Sequence, residues 1–226
     1  SIVIDKNVTD TIRELFHLAP LHNPANLMGI EAFQEYIPEA TAVAVFDTGF
    51  PQSMPEENYL YAVPYEWYEK YGVRRYAFHG ISHQYITEYM QKFLGKENVN
   101  LITCHLGNGS TIYSIKDGKC FDTSLSFSTN SGLVMGTRSG DIDPFVVPYV
   151  MKESGMSMEE VLNTLNKKSG LIGVSGVSSD SRDIEDGIKE GNERCILAQK
   201  LFVNRIVGYI AKLCCPLKKV DAICFA

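Results

Sequence analysis

The segment Asn100-Leu-Ile-Thr-Cys-His-Leu-Gly-Asn-Gly-Ser-Thr-Ile-Tyr-Ser-Ile115 decides how this chain folds. Two apolar, strand-like runs flank the polar stretch His105-Leu-Gly-Asn-Gly-Ser110. Asn-Gly between two strands favours a tight hairpin, because both turn residues then need a positive φ and these two adopt it at least cost. A second turn signal, Asp117-Gly118, precedes a third run. We therefore predict three consecutive antiparallel strands, over 100–105, 110–115 and 119–125.

The first of these turns has two possible interpretations. One is a plain hairpin. The other is an anion site, because glycines without a Cβ let backbone N–H groups approach an anion and successive N–H groups in a tight turn form a concavity. A plain hairpin needs neither a second glycine nor a histidine at its mouth. The second interpretation makes a phosphate-binding loop of His105, Leu106, Gly107, Asn108 and Gly109.

Helical and strand-like patterns surround the three strands. We predict helices over 8–18 with Thr9 at the start, 29–36, 65–71, 82–94 with Ser82 as N-cap, 144–154, 157–167 with Ser157 and Glu160 as a capping box, and 183–215 with a break at Gly191. Further strands are predicted over 42–46, 74–78 and 220–226, and a Gly/Ser-rich loop over 169–179. Three sequential strands followed by helices and a parallel strand predict an α/β domain, with a mixed sheet flanked by helices.

Composition excludes several classes of function. The net charge of −6 over 226 residues argues against a nucleic-acid or anionic-membrane partner. The sequence contains neither an apolar run long enough to span a bilayer nor a signal-peptide pattern. Its six cysteines form no Cys-x-x-Cys pair, which favours buried free thiols in a reducing, cytoplasmic setting over a zinc site. Because the chain opens without Met and stops at the strand-like run 220–226, we expect it to be an internal piece of a longer polypeptide.

Two single residues stand at the ends of predicted strands. Asp47 closes the strand over 42–46, where α/β folds place ligand and Mg²⁺ contacts, although a turn aspartate explains it equally well. His79 lies at a strand-to-helix junction, where it could donate to a developing charge or simply be satisfied by the backbone.

Two Gly- and Ser-rich segments also contain charged residues. Arg138, within Val134-Met-Gly-Thr-Arg-Ser-Gly-Asp-Ile-Asp-Pro144, can bring its fork to a carboxylate or phosphate, or form a salt-bridged turn. The segment Gly173–Asp183 leads into a helix and either presents N–H donors to an anion or ribose, or is a linker in which Asp180 or Ser181 caps the helix.

A set of motifs spread over the whole chain carries a family resemblance. They are Leu18–Asn26, Val45–Thr48, Tyr71–Tyr76 with Phe78–Gly80, Ile102–Gly109, Leu133–Pro144, Asn166–Gly170 and Gly176–Asp180. With these motifs the chain resembles the acetate/propionate kinase family, within the sugar kinase, Hsp70 and actin superfamily. The resemblance implies ribonuclease-H-like domains that close on a nucleotide. Residues 1–48 would end the first kinase domain, and 49–226 would form most of the second, nucleotide-binding domain.

The resemblance also implies an activity and its catalytic residues. The reaction would be reversible in-line phosphoryl transfer from ATP to acetate, giving ADP and acetyl phosphate. Asp47 would be the catalytic carboxylate near acetate and, indirectly, Mg²⁺. His79 and Arg138 would stabilise the phosphoryl group in flight, which suits a reaction that needs positioning and charge neutralisation.

Binding roles follow from the same resemblance. His22 would lie at the rim of the site, and Leu21 and Phe78 would line the pocket for the acetate methyl group. The loop His105–Gly109 would hold the ATP phosphates. The adenosine side would be held by Asp180, Ser181 and Arg182. Family members are generally homodimers through the second domain, so we expect self-association, and we expect neither nucleic-acid nor membrane partners.

Departures from the family pattern leave alternatives open. The family usually has Thr-Pro-Leu-Glu-Gly-Leu where this chain has Ser128-Thr-Asn-Ser-Gly-Leu133, so Thr129 replaces a proline that closes the acyl pocket. Pro51 and Ser181 replace a usual His and Phe. The family's N-terminal phosphate loop and later Gly-rich adenosine loop are not in this chain, so we expect the chain alone to be inactive or nearly so. The alternatives are a kinase for propionate or another short-chain acid, and a non-catalytic nucleotide-binding or dimerisation module.

Overall fold

The computed structural model describes residues 1–17 and 22–226 and divides the chain between Phe46 and Asp47 into two units. In the first unit, β1 (Ile2–Val3) pairs antiparallel with β2 (Val43–Ala44). Its two helices are α1 (Lys6–Glu14) and α2 (Asn23–Tyr36). α1 begins at Asp5, whose carboxylate accepts the Val8 N–H at 2.9 Å, so the predicted start at Thr9 is wrong.

The predicted strand over 42–46 is mostly absent from the first unit. Only β2 is regular there, and Val43, Val45 and Phe46 are about half exposed. The apolar run 42–46 has the composition of a buried strand. A ribbon of two residues per strand buries little on either face, which is why the prediction fails.

The second unit, residues 47–226, contains the sheet that the opening segment predicts. Its strands are β3 (Leu101–Leu106), β4 (Ser110–Lys116), β5 (Lys119–Thr123) and β6 (Ala222–Phe225). The order in the sheet is β5-β4-β3-β6, with β3, β4 and β5 antiparallel and β6 parallel to β3. The mixed α/β sheet is therefore confirmed, including the close order of the first three strands.

The helices of the second unit lie between and around these strands. They are α3 (Glu56–Tyr59), α4 (Tyr65–Tyr71), α5 (Gly80–Leu94), α6 (Val146–Ser154), α7 (Met158–Lys167), α8 (Gly170–Ser175), α9 (Ser181–Lys189) and α10 (Glu193–Cys214), with a 3-10 turn at Phe50–Ser53. α7 starts with the capping box that the sequence predicts, in which Ser157 and Glu160 bond to each other's backbone N–H.

The two faces of the sheet differ because side chains alternate along each strand. One face buries Ile102, Cys104 and Ile112 against α10. The other face buries Leu101 and Tyr113 together with the segment around Met54 and Ala77, and α5 packs against its β3. Towards the turn at 107–109 this second face becomes polar, with Thr103, His105 and Thr111 at consecutive inward positions.

Local patterns mispredict two segments before the sheet. Residues 74–78 are not a strand, because Ala77 has a φ of 61° and His79 a φ of 62°, which turn the chain. α5 then begins at Gly80, and its N-cap is His79 rather than Ser82. The Ser82 hydroxyl instead lies 3.0 Å from His105 Nδ1.

After the sheet, one segment differs from expectation and another confirms a predicted helix break. The predicted loop over 169–179 contains the helix α8, although its sequence is rich in Gly and Ser. The predicted helix over 183–215 is two helices, α9 and α10, which separate at Gly191 with Asn192 as the second N-cap. All six cysteines are free thiols, and Cys104, Cys120 and Cys195 are buried. Over residues 1–17 and 22–226, no helix has the length and apolar character needed to cross a membrane.

Candidate active site

The turn between β3 and β4 needs its glycines for a different reason from the one that the sequence suggests. Gly107, Asn108 and Gly109 all keep their backbone outside the left-handed region, so the predicted positive φ at Asn108 and Gly109 is wrong. The need for glycine is spatial instead. A Cβ built on Gly109 would lie 3.2 Å from Arg138 Nη1 and 3.4 Å from His79 Nε2. Gly109 therefore lets the backbone of the turn approach both side chains closely.

Asp47 and the start of α5 are bound to each other. The Asp47 carboxylate accepts the His79 N–H at 2.6 Å and the Ile81 N–H at 3.4 Å. It thus satisfies two backbone donors that a helix N-terminus leaves free, with the negative charge at the positive end of the helix dipole. Gly80 makes this possible, because a Cβ there would lie 2.1 Å from the Asp47 carbonyl oxygen.

The His79 ring lies between the sheet and the turn. Its Nδ1 is 3.0 Å from the Thr111 hydroxyl, and its ring centre is 4.4 Å from that of His105. Burial, together with the neighbouring His105 and Arg138, lowers the pKa of His79 to about 4 against the opposing effect of Asp47. His79 is consequently a neutral imidazole at neutral pH.

Arg138 supplies a positive charge at the same place. Its Nη1 donates to the Thr129 carbonyl oxygen at 3.0 Å, and burial lowers the pKa of the guanidinium. Its backbone is fixed by Gly170, whose Cβ position would be 2.7 Å from the Arg138 carbonyl oxygen. Asp141 is not its partner: one carboxylate oxygen accepts the Gly132 N–H at 2.7 Å, which closes the loop that carries the arginine. The neutral imidazole of His79 and the guanidinium of Arg138 therefore both lie close to Gly109.

Gly136 packs against both the turn and the Gly/Ser-rich segment. A Cβ on Gly136 would lie 2.2 Å from Asn108 Oδ1 and 3.0 Å from the Ser179 carbonyl oxygen. The two segments predicted to bind nucleotide thus meet at Gly136. Asp180 caps α9 through the Arg182 N–H, as the alternative interpretation of this segment proposed, and pairs with the Arg182 side chain. Hydrogen bonds from Arg182 lower the pKa of Asp180 to about 2, and Ser181 is exposed.

Of the three residues predicted to border the acyl pocket, the structure describes two, His22 and Phe78. His22 is exposed in the first unit, where it precedes α2 without a side-chain capping bond. Leu21 lies outside the described residues. Phe78 is half-buried, and its carbonyl oxygen accepts the Tyr113 hydroxyl at 2.7 Å. Nothing in the second unit by itself assigns these three to an acyl pocket.

Asp47 is the candidate magnesium contact. In the described part of the chain, no group of three or more His, Cys, Asp or Glu side chains is placed to hold a metal ion. Mg²⁺ commonly keeps several waters and binds through one or two carboxylates plus substrate phosphates. The single carboxylate of Asp47, bound to the His79 N–H, fits that pattern.

Sequence reasoning missed two buried residues beside His79. His83 and Thr111 are fully buried, and His83 Nε2 is 2.7 Å from Thr111 Oγ1. The signals were present: His83 is one helical turn after His79, and Thr111 shares a strand face with Tyr113. A buried histidine on an apolar helix is usually a packing residue, which is why the pattern alone does not single it out.

His83 also makes stability depend on pH. Burial holds its pKa well below 6.5, whereas in the unfolded chain the pKa is about 6.5. The unfolded state therefore binds more protons below that pH, so stability is full above it and falls as pH drops toward the folded pKa. Between pH 7 and pH 5 we expect the unfolding free energy of the native protein to fall by about 1–2 kcal/mol more than that of His83→Gln. Denaturant titrations at both pH values measure this, and equal pH slopes would refute it.

Comparisons with known proteins match the whole chain. A family model described as the Acetokinase family matches residues 1–226. The acetate kinase of Geobacillus kaustophilus (strain HTA426) is 52% identical over 227 residues, covering 100% of this chain and 57% of that protein. The chain thus spans somewhat more than half the length of the curated relatives it matches.

Two solved structures share the fold. The crystal structure of Porphyromonas gingivalis acetate kinase superposes with a TM-score of 0.93 at 46% identity, over 98% of this chain and 56% of that one. A propionate kinase from Francisella tularensis subsp. tularensis SCHU S4 superposes with a TM-score of 0.95 at 41% identity, over 98% of this chain and 58% of that one. The α/β fold of the chain is therefore that of this group of kinases.

Proposed function

This chain belongs to the acetokinase family, and from that premise we propose that the whole protein transfers a phosphoryl group from ATP to acetate, giving ADP and acetyl phosphate. The observation that supports this best is the convergence on Gly109 of His79 and Arg138, with Asp47 bound to the His79 backbone. Phosphoryl transfer needs charge neutralisation and alignment more than covalent help from the protein. A neutral donor, a guanidinium and a carboxylate around a glycine turn supply these.

Each residue has a distinct role in the proposed step. A carboxylate oxygen of acetate attacks the γ-phosphorus, and the bond to the β,γ-bridging oxygen breaks as ADP leaves. Arg138 places positive charge beside the transferring group, and His79 donates a hydrogen bond to one of its oxygens. Asp47 is the residue that would hold Mg²⁺, indirectly, and the ion when bound would neutralise charge on the phosphate oxygens.

The nucleotide is proposed to lie across the two glycine-bounded segments. The turn 105–109 would receive its phosphates, with backbone N–H groups as donors. Asp180, Ser181 and Arg182 would contact the adenosine side, since Gly136 lies against both Asn108 and Ser179. An exposed ion pair such as Asp180–Arg182 contributes little to stability, so it is free to change partners when a nucleotide binds.

Residues 1–48 are proposed to be the end of a first kinase domain, and residues 49–226 to form most of a second domain that binds the nucleotide. We also propose a cytoplasmic homodimer associated through the second domain. His22, Leu21 and Phe78 are proposed to border the acyl pocket of the whole protein.

A second acceptor is favoured by the segment Ser128–Ser131. The Asn130 Oδ1 and Ser131 Oγ atoms are buried without a hydrogen-bond partner, close in sequence to the Thr129 carbonyl that holds Arg138. Buried unpaired polar atoms are costly and favour a ligand or water that satisfies them. Because Thr129 in this segment also replaces the proline that closes the acyl pocket in the family pattern, a propionate or other short-chain acid acceptor is the alternative to acetate.

Trapping of the acyl phosphate with hydroxylamine tests the proposal. The whole protein with Mg-ATP should give acyl hydroxamate from acetate, and much less in the His79→Ala variant. Ranking acetate against propionate by kcat/KM identifies the acceptor. The 226-residue chain alone should give little or no product, because it spans about 57% of its relatives, and robust turnover by it would refute that expectation. ATP binding by the whole protein without transfer to either acid would favour a non-catalytic nucleotide-binding module.

A further inference from the structure

A line of three polar side chains, those of Thr103, His83 and Thr111, connects His79 to the interior of the second unit. The Thr103 hydroxyl is 2.6 Å from His83 Nδ1, and His83 Nε2 is 2.7 Å from the Thr111 hydroxyl. The Thr111 hydroxyl is in turn 3.0 Å from His79 Nδ1. Thr103, His83 and Thr111 are fully buried, so water does not reach the line from the side.

Packing prevents His83 from leaving this line. Its ring is stacked on Tyr113 with 3.8 Å between ring centres and 12° between planes. The Tyr113 hydroxyl donates to the Phe78 carbonyl oxygen, which ties the stack to the residue before His79. The distances along the line are therefore set by the sheet and α5 rather than by mobile side chains.

The protons of the line can be arranged in two continuous ways, since a third, in which Thr111 accepts from both rings, leaves the buried Thr111 O–H without an acceptor among the described residues. A neutral imidazole has one N–H donor and one bare acceptor nitrogen, and a threonine hydroxyl donates once and accepts up to twice. In the outward arrangement Thr103 donates to His83 Nδ1, His83 Nε2 donates to Thr111, and Thr111 donates to His79 Nδ1. In the inward arrangement each of these bonds is reversed, and His79 Nδ1 carries the proton.

Thr103 decides between the two arrangements. Within the described ranges 1–17 and 22–226, the hydrogen-bond partner recorded for its hydroxyl is His83 Nδ1 alone. In the inward arrangement this hydroxyl would accept from His83, and its own O–H would be a buried donor without an acceptor, which costs about 1–3 kcal/mol. The outward arrangement pairs both threonine hydroxyls and the His83 N–H, and it leaves the His79 Nε2–H directed towards Gly109.

We infer that His83 and Thr111 are positioning residues, which hold His79 as the tautomer with its proton on Nε2, the nitrogen that faces Gly109 and Arg138. The inference rests on the proposed function, because only that tautomer of a neutral histidine donates to a phosphoryl oxygen from Nε2. The ring is aligned before substrate arrives, and the hydrogen bond at Nδ1 keeps the imidazole from rotating. The positive charge of the site then comes from Arg138, and the directional donor from His79.

The tautomer is measured without any assay of activity. Two-bond ¹H–¹⁵N spectra of the whole protein with ¹⁵N-labelled histidine distinguish a protonated ring nitrogen from a bare one by chemical shift. The His79 signals are assigned by their loss in His79→Gln. We expect Nε2 of His79 to be protonated and Nδ1 bare, and likewise for His83. Protonation of His79 on Nδ1 would overturn the inference, whatever reaction the protein catalyses.

A matched pair of substitutions tests whether the Thr111 hydroxyl contributes. Thr111→Val keeps the shape but removes the hydroxyl, and it should lower kcat about ten- to a hundredfold with little change in KM for either substrate. Thr111→Ser restores the hydroxyl and should recover most of kcat. The ¹⁵N shift of His79 Nδ1 should move in Thr111→Val, because its hydrogen bond is lost, and return in Thr111→Ser.

Thr87→Val is the control for a merely structural effect. Thr87 is a buried threonine on α5, the helix that carries His83, and its hydroxyl donates to the His83 carbonyl oxygen rather than to a ring. We expect it to lower the melting temperature about as much as Thr111→Val while kcat stays unchanged. Equal kcat in Thr111→Val and Thr111→Ser would overturn the positioning role. If the protein has no phosphotransferase activity, the spectra of Thr111→Val and Thr111→Ser still decide it.

Discussion

Replacing Arg138 with alanine in the whole protein is expected to lower kcat for phosphoryl transfer on the order of 10³-fold, as when an arginine that stabilises a transferring phosphoryl group is removed. The guanidinium Nη1 lies 3.2 Å from the Cβ position of Gly109, in the space proposed for the phosphoryl group. Because the neighbouring His79 has its pKa lowered to about 4, it cannot replace the lost charge at neutral pH. Steady-state kinetics with acetate and propionate measure the loss.

Two further variants give this prediction its controls. Arg138→Lys keeps a positive charge but loses the planar fork, and should fall between the native protein and Arg138→Ala. Arg13→Ala removes an exposed arginine of α1, whose partners are Asp10 and Glu31, and should leave kcat within about twofold because exposed ion pairs contribute little. Arg138→Ala with a native melting temperature and more than a tenth of native kcat would exclude the proposed role.

The prediction of the sheet succeeded where the information is local. Asp117 and Gly118 adopt φ values of 50° and 77°, as a two-residue hairpin turn requires, and Ser157 with Glu160 forms the predicted capping box. Each signal involves residues a few positions apart, so no knowledge of tertiary structure is needed. The parallel pairing of β6 with β3 follows from the general architecture of alternating strands and helices.

The failures have long-range causes. α5 starts at Gly80 because the carboxylate of Asp47, 32 residues before His79, accepts two of its first N–H groups. Within the helix sequence, Ser82 is a better capping residue than His79, so local rules choose the wrong one. Likewise Gly170 adopts a φ of 64° against the carbonyl of Met135, and this packing starts a helix in a segment that composition assigns to a loop.

The sequence predicts which residues belong to the site but not how they are arranged in space. Motif resemblance selected Asp47, His79 and Arg138, but composition and spacing could not bring together three segments so distant in the sequence. The glycine at 109 was explained by a turn conformation that it does not adopt, and its function is to leave space for Arg138 and His79. His83 and Thr111 were missed because a buried polar pair is recognised only once its partners are known.

Substituting alanine for Gly80 is expected to disable the site and destabilise the fold together. A Cβ at this position would lie 2.1 Å from the Asp47 carbonyl oxygen and 2.9 Å from Pro51 Cδ. These neighbours are a backbone oxygen and a proline ring, which cannot rotate away as a flexible side chain can. We expect a loss of about 1–3 kcal/mol in the free energy of unfolding, as for other substitutions that overfill a packed site. Asp47 must also move, which breaks its 2.6 Å hydrogen bond to the His79 N–H, so kcat should fall about a hundredfold.

Gly208→Ala is the matched control, because the same methyl group is added to a helical glycine with open space around it. No heavy atom of the described residues lies within 4 Å of its Cβ position in α10. There alanine should raise the free energy of unfolding by about 0.5–1 kcal/mol, since it restricts the unfolded chain and favours the helix. The same added methyl group is thus expected to lower the free energy of unfolding at position 80 and to raise it at position 208. Denaturant unfolding measures both changes, and kinetics measure kcat of both variants. Native stability and kcat in Gly80→Ala would mean that Asp47 need not contact the start of α5, and the proposed link between that contact and catalysis would fail.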